Sequence, residues 1–204
     1  IGEVFIGDSN VCLILGDNIY YGDGFSKILQ NASQQTSGAT IFGYYVTDPQ
    51  RYGVVSFDRD GKVLDIEEKP TLPKSPYAIT GLYFYDNQVI DIAKSVTPST
   101  RNELEITDVN RAYLKQGNLN IQLLGRGTAW LDTGTHDSLL DAGNFIKLIE
   151  ERQGLKICSP EETAFRMGYI DANSLDRLIA PLAKTGYGDY LRRILNENDS
   201  NWEK

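Results

Sequence analysis

Apolar and polar positions recur along this chain with two different periods. Val11-Cys12-Leu13-Ile14-Leu15 is an unbroken apolar run that stops at Gly16-Asp17-Asn18, a pattern that suits a strand buried on both faces. Asn18 to Gly24 is rich in turn formers and reads as a loop. Phe25, Ile28, Leu29 and Ala32 then fall at helical spacing, which predicts an amphipathic helix over residues 25–35. An apolar and aromatic strand follows over 39–46. Strand, helix and strand in that order predict a β-α-β unit with parallel pairing and a right-handed crossover.

Farther on, 53–57 and 63–67 alternate apolar and polar residues on either side of Asp60-Gly61, a hairpin signal. Pro70 ends the second of these strands because it has no N–H for a ladder. Residues 71–76 hold two prolines directly after Pro70 and read as a loop, and 77–85 as a long aromatic strand around Gly81. A short helix is expected over 87–94 and a loop over 95–102. Thr107-Asp108 reads as the N-cap of a helix running to 116. A strand over 120–124 and a brief strand and turn over 129–135 precede a long helix over 136–151. Ser159-Pro160-Glu161-Glu162 opens another helix, and two more follow over 173–182 and 187–196. The expected organisation is an α/β body over residues 1–153 with a small helical appendage over 154–204.

Composition narrows the function. The 204 residues are 41% hydrophobic and carry a net charge of −8. That acidity argues against a nucleic-acid scaffold, which needs a basic face. No apolar run approaches transmembrane length and no signal-peptide pattern is present, so neither a membrane nor a nucleic-acid partner is expected. Cys12 and Cys158 read as free thiols in a reducing, cytoplasmic compartment. Ile1 is not an initiator methionine, and the first ten residues read like the interior of a longer chain.

Three short segments combine charge with a strand end or a tight turn: 15–18, 67–70 and 130–135. Asp17 and Asp132 each follow an apolar stretch directly. Carboxylates converging beyond strand ends would suit Mg²⁺, which takes one or two carboxylates plus waters and substrate phosphates. Taken alone, each aspartate fits a turn or helix cap as well. Lys69, pinned beside Pro70, and Arg101, in a polar loop, are phosphate candidates that also fit solvated surface charges. His136 reads as structural, since no serine or cysteine motif accompanies it and no cysteine–histidine spacing suits zinc.

Together the segments LGDNIYYG (15–22), RYGVV (51–55), IEEKP (66–70), YAITGLYFYD (77–86), NELEITDVN (102–110), GRGTAWLDTGTHDSLLDA (125–142) and ERQGLKICSPEETAFRMGYI (151–170) resemble the sugar-phosphate nucleotidylyltransferases. Within that family their order looks most like the bacterial glucose-1-phosphate thymidylyltransferases. The resemblance implies a Rossmann-like mixed, mainly parallel sheet flanked by helices. It also implies Mg²⁺ as cofactor, dTTP and glucose 1-phosphate as substrates, dTDP-glucose for dTDP-rhamnose and polysaccharide synthesis, and a homotetramer. On the matching positions it makes Asp17 and Asp132 the metal ligands. Glu68 becomes the acceptor for sugar hydroxyls, and Lys69 and Arg101 the phosphate contacts. Tyr52, Gly53, Ile79, Gly81 and Trp130 become the wall around the hexose. Asp17, Lys69 and Asp132 would carry the catalysis. A regulatory site is implied, more loosely, at Tyr21, Gly22, Phe25, Arg126, Ser159, Glu162 and Arg166.

The family's glycine-rich nucleotide loop and base-reading turn have no counterpart here, so the chain is expected to start after them and, alone, to expose the 11–15 strand. That keeps a second class open, a non-catalytic module binding sugar phosphate or nucleotide sugar, and leaves the base unread. A metal-dependent glycosyltransferase would use Asp17 but leaves 67–70 and 130–135 unexplained.

Overall fold

Tyr77–Tyr85 forms the longest strand, and the α/β part of the chain is assembled on its two edges. In the computed structural model, which describes residues 2–197, the elements in chain order begin with α1 (Glu3–Ile6), β1 (Val11–Ile14), β2 (Asn18–Gly22), α2 (Phe25–Ser33) and β3 (Ala39–Tyr45). They continue with β4 (Gly53–Phe57), β5 (Val63–Glu68), β6 (Tyr77–Tyr85), α3 (Val89–Ser95), α4 (Ile106–Lys115), β7 (Leu119–Leu123) and β8 (Thr128–Asp132). Four helices close the chain: α5 (His136–Gln153), α6 (Pro160–Arg166), α7 (Ala172–Ile179) and α8 (Gly186–Asn196). Contacts divide the chain into two units between Ala142 and Gly143, inside α5.

In the first unit the sheet runs β5-β4-β6-β3-β7, with β1 also paired to β6. β3 lies antiparallel along one edge of β6, from Ala39↔Tyr85 to Tyr45↔Tyr77. β1 takes the far half of the other edge, from Val11↔Tyr85 to Ile14↔Leu82, and β4 touches the near half at Val54↔Ala78. β2 and β8 form a separate two-stranded ribbon. On one face Ile41, Val55, Ile66, Tyr83, Tyr85 and Tyr113 make the main core. On the other, Phe42, Leu82 and Leu124 meet Phe25, Ile28 and Leu29 of α2. Those three α2 positions are the ones whose spacing predicts the helix. Among the described residues no helix is long and apolar enough to cross a membrane.

The mixed α/β class with flanking helices and a helical appendage is what the pattern predicts, but four details differ. Among the described residues only β3 and β7 pair in parallel; the other ladders are antiparallel. β1 and β3 do run the same way, yet β6 sits between them, so the crossover spans a strand instead of joining neighbours. β1 is not buried on both faces: it pairs with β6 alone, and Leu13 and Ile14 stay 37% and 56% exposed, with Cys12 also exposed. An apolar run records what could be buried, not what covers it. Finally, the stretch expected to be a loop forms β2, whose partner lies more than a hundred residues away. Turn-forming composition cannot reveal a ladder of that range.

Asp86, just past β6, anchors the sheet to its helical layer. It is 6% exposed. Its carboxylate accepts hydrogen bonds from Gly38 N (2.6 Å), Tyr113 Oη (2.7 Å) and Gln88 N (3.1 Å). One carboxylate thus ties the residue before β3, the last turn of α4 and the start of the α3 turn.

The second unit is a helical cluster around Leu175, Ile179, Tyr190, Leu191 and Ile194. Ser159 caps α6 as the Ser-Pro-Glu-Glu pattern predicts, its Oγ accepting from Glu162 N. Ser159 Oγ also lies 2.8 Å from Tyr187 Oη, and Tyr190 Oη donates to Glu162. Burial and that carboxylate push the Tyr190 phenol up to about 12.

Asp86→Ala takes the acceptor from four donors, Gly38 N, Tyr113 Oη, Gln88 N and Gln88 Nε2, and each one left buried and unpaired costs on the order of 1–3 kcal/mol. The expected loss is about 3 kcal/mol, read in urea as a lower midpoint at unchanged slope.

Candidate active site

The site begins with the β2–β8 ribbon. Its ladder sets Asn18 opposite Asp132. Asp17, one residue earlier, is then held by Thr133, whose N and Oγ1 both donate to the Asp17 carbonyl at 2.8 and 2.9 Å. Two aspartates distant in sequence thus share one end of the ribbon. The Asp17 carboxylate accepts from Asn18 Nδ2 at 2.8 Å, and Asp132 Oδ1 from Gly134 N at 3.1 Å. Each carboxylate is steadied through one oxygen and keeps the other for a ligand. Two hard carboxylates at the rim of a cleft suit a hydrated Mg²⁺ completed by substrate oxygens. No cluster of three or more acidic, histidine or cysteine side chains occurs among the described residues, so an all-protein cage is not the fit.

Asp17 and Asp132 open onto a cleft of about 200 Å³ that Tyr52, Gly53, Glu68, Lys69, Ile79, Gly81 and Trp130 also line. The β4–β5 hairpin pairs Gly53 with Glu68. A Cβ on residue 53 would lie 3.2 Å from Thr107 Oγ1 and 3.3 Å from Glu68 Oε2. Glycine there leaves the glutamate its place. Thr107 Oγ1 donates to Glu68 Oε2 at 2.5 Å, which turns one carboxylate oxygen toward α4, while Oε1 faces Arg101 Nη1 at 3.8 Å. Trp130 packs against the Tyr52 ring at 5.1 Å. Burial raises the Tyr52 phenol, partly offset by Arg51, so it stays a neutral donor.

Lys69 adopts φ +42° while its N donates to Tyr52 O at 3.0 Å. Left-handed backbone at a residue with a Cβ costs about 1 kcal/mol, and here it turns the lysine into the cleft just before Pro70 stiffens the chain. Arg101 does not line the cleft. Its guanidinium sits among three carboxylates: Glu103, Glu105 at 3.5 Å and Glu68 at 3.8 Å. Glu103 first, then the other two, raises its already high pKa.

Asn18, Thr107, Arg51 and Tyr83 also line the cleft, and sequence reasoning passed them by. Asn18 was readable from its place beside Asp17. Thr107 was masked by a capping role it does not take: α4 starts at Ile106 behind Glu105, without a side-chain cap, because the threonine hydroxyl serves Glu68. His136 lies exposed at the start of α5.

The residues assigned to a regulatory site fall in both units. In the first, Tyr21 and Gly22 lie on β2, and a Cβ at Gly22 would approach Thr128 Cα to 2.9 Å. Phe25 stacks on Tyr20 at 5.2 Å, and Arg126 is exposed in the β7–β8 turn. In the second, Ser159, Glu162 and Arg166 share the α6 network, with Arg166 Nε donating to Glu162 Oε1 at 2.8 Å.

A carboxylate pair, a hydroxyl acceptor, an aromatic wall and a lysine around one cleft match a polyol carrying an anionic group. The family described as nucleotidyl transferase matches residues 1–148. A glucose-1-phosphate thymidylyltransferase of Xanthomonas campestris pv. campestris (strain B100) is 58% identical over 95% of this chain and 66% of its own length. One from Neisseria meningitidis is 52% identical over 97% of this chain and 68% of its own. A crystal structure of a Bacillus anthracis chain described as a glucose-1-phosphate thymidylyltransferase, in complex with a sucrose, is also similar. Its TM-score is 0.61 at 42% identity, covering 71% of this chain and 57% of that one. The chain thus spans about two thirds of the length of these relatives.

The loop that leaves Lys69 is clamped by Lys74, whose Nζ lies 2.8 Å from both Asp65 and Glu67 on β5. The Lys74 hydrogen bond holds the Asp65 carboxyl below its usual range. A lowered folded pKa makes the clamp complete above about pH 4 and loses it as pH falls through the Asp65 midpoint. In Lys74→Met, a carbon-13 NMR titration is expected to show that midpoint moving up. An unmoved midpoint removes Lys74 as its cause.

Proposed function

This chain belongs to the nucleotidyl transferase family, and we propose that it carries the sugar-phosphate and metal-binding part of a glucose-1-phosphate thymidylyltransferase. The observation that carries the reading is the single cleft shared by Asp17, Glu68, Lys69, Trp130 and Asp132. In the proposed reaction a phosphate oxygen of glucose 1-phosphate attacks the α-phosphorus of dTTP. The new P–O bond forms as the bond to pyrophosphate breaks, yielding dTDP-glucose. Such transfers depend on alignment and on neutralising charge more than on covalent chemistry.

The residues divide that work. Glu68, fixed by Thr107, accepts hydrogen bonds from the hexose hydroxyls. A polar acceptor that would be left unpaired rejects deoxy analogues far better than shape does. Trp130, Tyr52 and Ile79 cover the apolar face of the ring. Lys69 holds the sugar phosphate in line, and Arg101 supplies a second cation on exchanging Glu103 for phosphate. Asp17 and Asp132 would hold Mg²⁺, which supplies charge neutralisation on the triphosphate when bound. The free cysteines support a cytoplasmic setting, and the family resemblance supports a homotetramer.

Calorimetry with glucose 1-phosphate and with dTTP, each with Mg²⁺, together with a pyrophosphate-release assay, tests the reading. Binding of glucose 1-phosphate without turnover would identify a binding module; binding of neither would overturn both readings. In the active protein, Lys69→Ala is expected to raise the KM for glucose 1-phosphate about tenfold, the worth of one charged hydrogen bond. The KM for dTTP should stay within about twofold. Equal loss on both substrates would remove Lys69 from the sugar-phosphate side.

A further inference from the structure

An asparagine side chain has one carbonyl oxygen with two lone pairs and one NH₂ group with two donors. At Asn18 the carbonyl faces donors only: Oδ1 accepts from Trp130 Nε1 at 2.6 Å and from Gly81 N at 3.0 Å, with Tyr20 Oη farther off at 3.5 Å. The two nearer are fixed N–H donors, so the amide has one orientation and its NH₂ group must face the other way. There it donates to Asp17 Oδ1 at 2.8 Å. The amide also lies flat on the backbone of β6. A Cβ at residue 81 would stand 2.7 Å from Asn18 Cγ, Nδ2 and Oδ1 alike, closer than any Cβ contact can be.

We propose that Asn18 is a positioning residue that fixes the metal-binding carboxylate of Asp17 to the sugar-binding wall, and that Gly81 is glycine to let it do so. The inference rests on the reading of Asp17 as a metal ligand. Trp130 and Gly81 belong to the wall and Asp17 to the cation site, and one amide joins them. Partners that orient a ligating group typically change metal affinity ten- to a hundredfold when lost. Asn18→Ala frees the Asp17 carboxylate to rotate. Gly81→Ala keeps Asn18 but pushes its amide away from both Trp130 and Asp17. The two substitutions should therefore act through one contact.

Mn²⁺ binding to the chain, followed by electron paramagnetic resonance without nucleotide or sugar, reads this directly, with thermal melts run in parallel. Each single variant is expected to weaken Mn²⁺ binding about tenfold. The Asn18→Ala/Gly81→Ala double variant should bind no more weakly than either alone, the non-additivity of a shared mechanism. Should Asn18→Ala fail to fold, Gly81→Ala alone decides. Unchanged affinity in a folded single variant, or additive losses in the double, would overturn the role of Asn18 and leave the proposed function standing. Failure of the unsubstituted chain to bind Mn²⁺, or equal binding by an Asp17→Ala chain, would overturn the metal reading of Asp17 and this inference with it.

Discussion

The antiparallel pairing of β2 with β8 is the contact on which the site depends. It joins segments more than a hundred residues apart and sets Asn18 directly across from Asp132. Without that register Asp17 and Asp132 are two unrelated turn residues. A one-residue slip would send alternate side chains to the opposite face. Asp132 would then turn away from the cleft, and Trp130 would lose its bond to Asn18. Isolated two-stranded ribbons are marginal in water, so this one relies on what grips it: Thr133 on the Asp17 carbonyl, Tyr44 Oη on the Thr128 carbonyl, and Trp130 on Asn18.

The sheet was legible wherever local pattern and final partner agree. The β4–β5 hairpin needs only a short turn, and its strands appear where the alternation ends at Asp60-Gly61. β6, α2 and the Ser159 cap follow the same rule. What escaped reading depends on distant partners. β2 looks like a loop because its strand character comes from β8. β1 looks like a central strand because five apolar residues in a row say nothing about which neighbours exist. The parallel bias failed for the same reason: β6 inserts between β1 and β3 from forty residues downstream, and it approaches both from the antiparallel side.

The site itself was legible as a set of residue types but not as a mechanism of support. Asp17, Lys69, Asp132, Tyr52, Ile79 and Trp130 line one cleft. Which groups hold them there depends on backbone detail that no motif states. Gly53 and Gly81 both lie where a Cβ would collide with a working side chain, Glu68 in one case and Asn18 in the other. Lys69 bears a left-handed backbone that glycine would accept more readily, so the chain there accepts strain to keep an ammonium group. Rigid supports of this kind matter because misplacement by about an ångström can cost a hundredfold in rate.

Charge then explains why Arg101 stands apart. A chain of net charge −8 must create its anion site locally. Lys69 and Arg51 share the cleft with three carboxylates, those of Asp17, Glu68 and Asp132, so its charged lining is acidic by one. Holding Arg101 at the edge on Glu103 and Glu105, with Glu68 at 3.8 Å, keeps the cation close without closing the cleft. Two of its three carboxylate partners are largely buried, Glu105 at 11% and Glu68 at 20% exposure, so Arg101 sits in a network and not in a lone surface pair, which is worth about 1 kcal/mol or less.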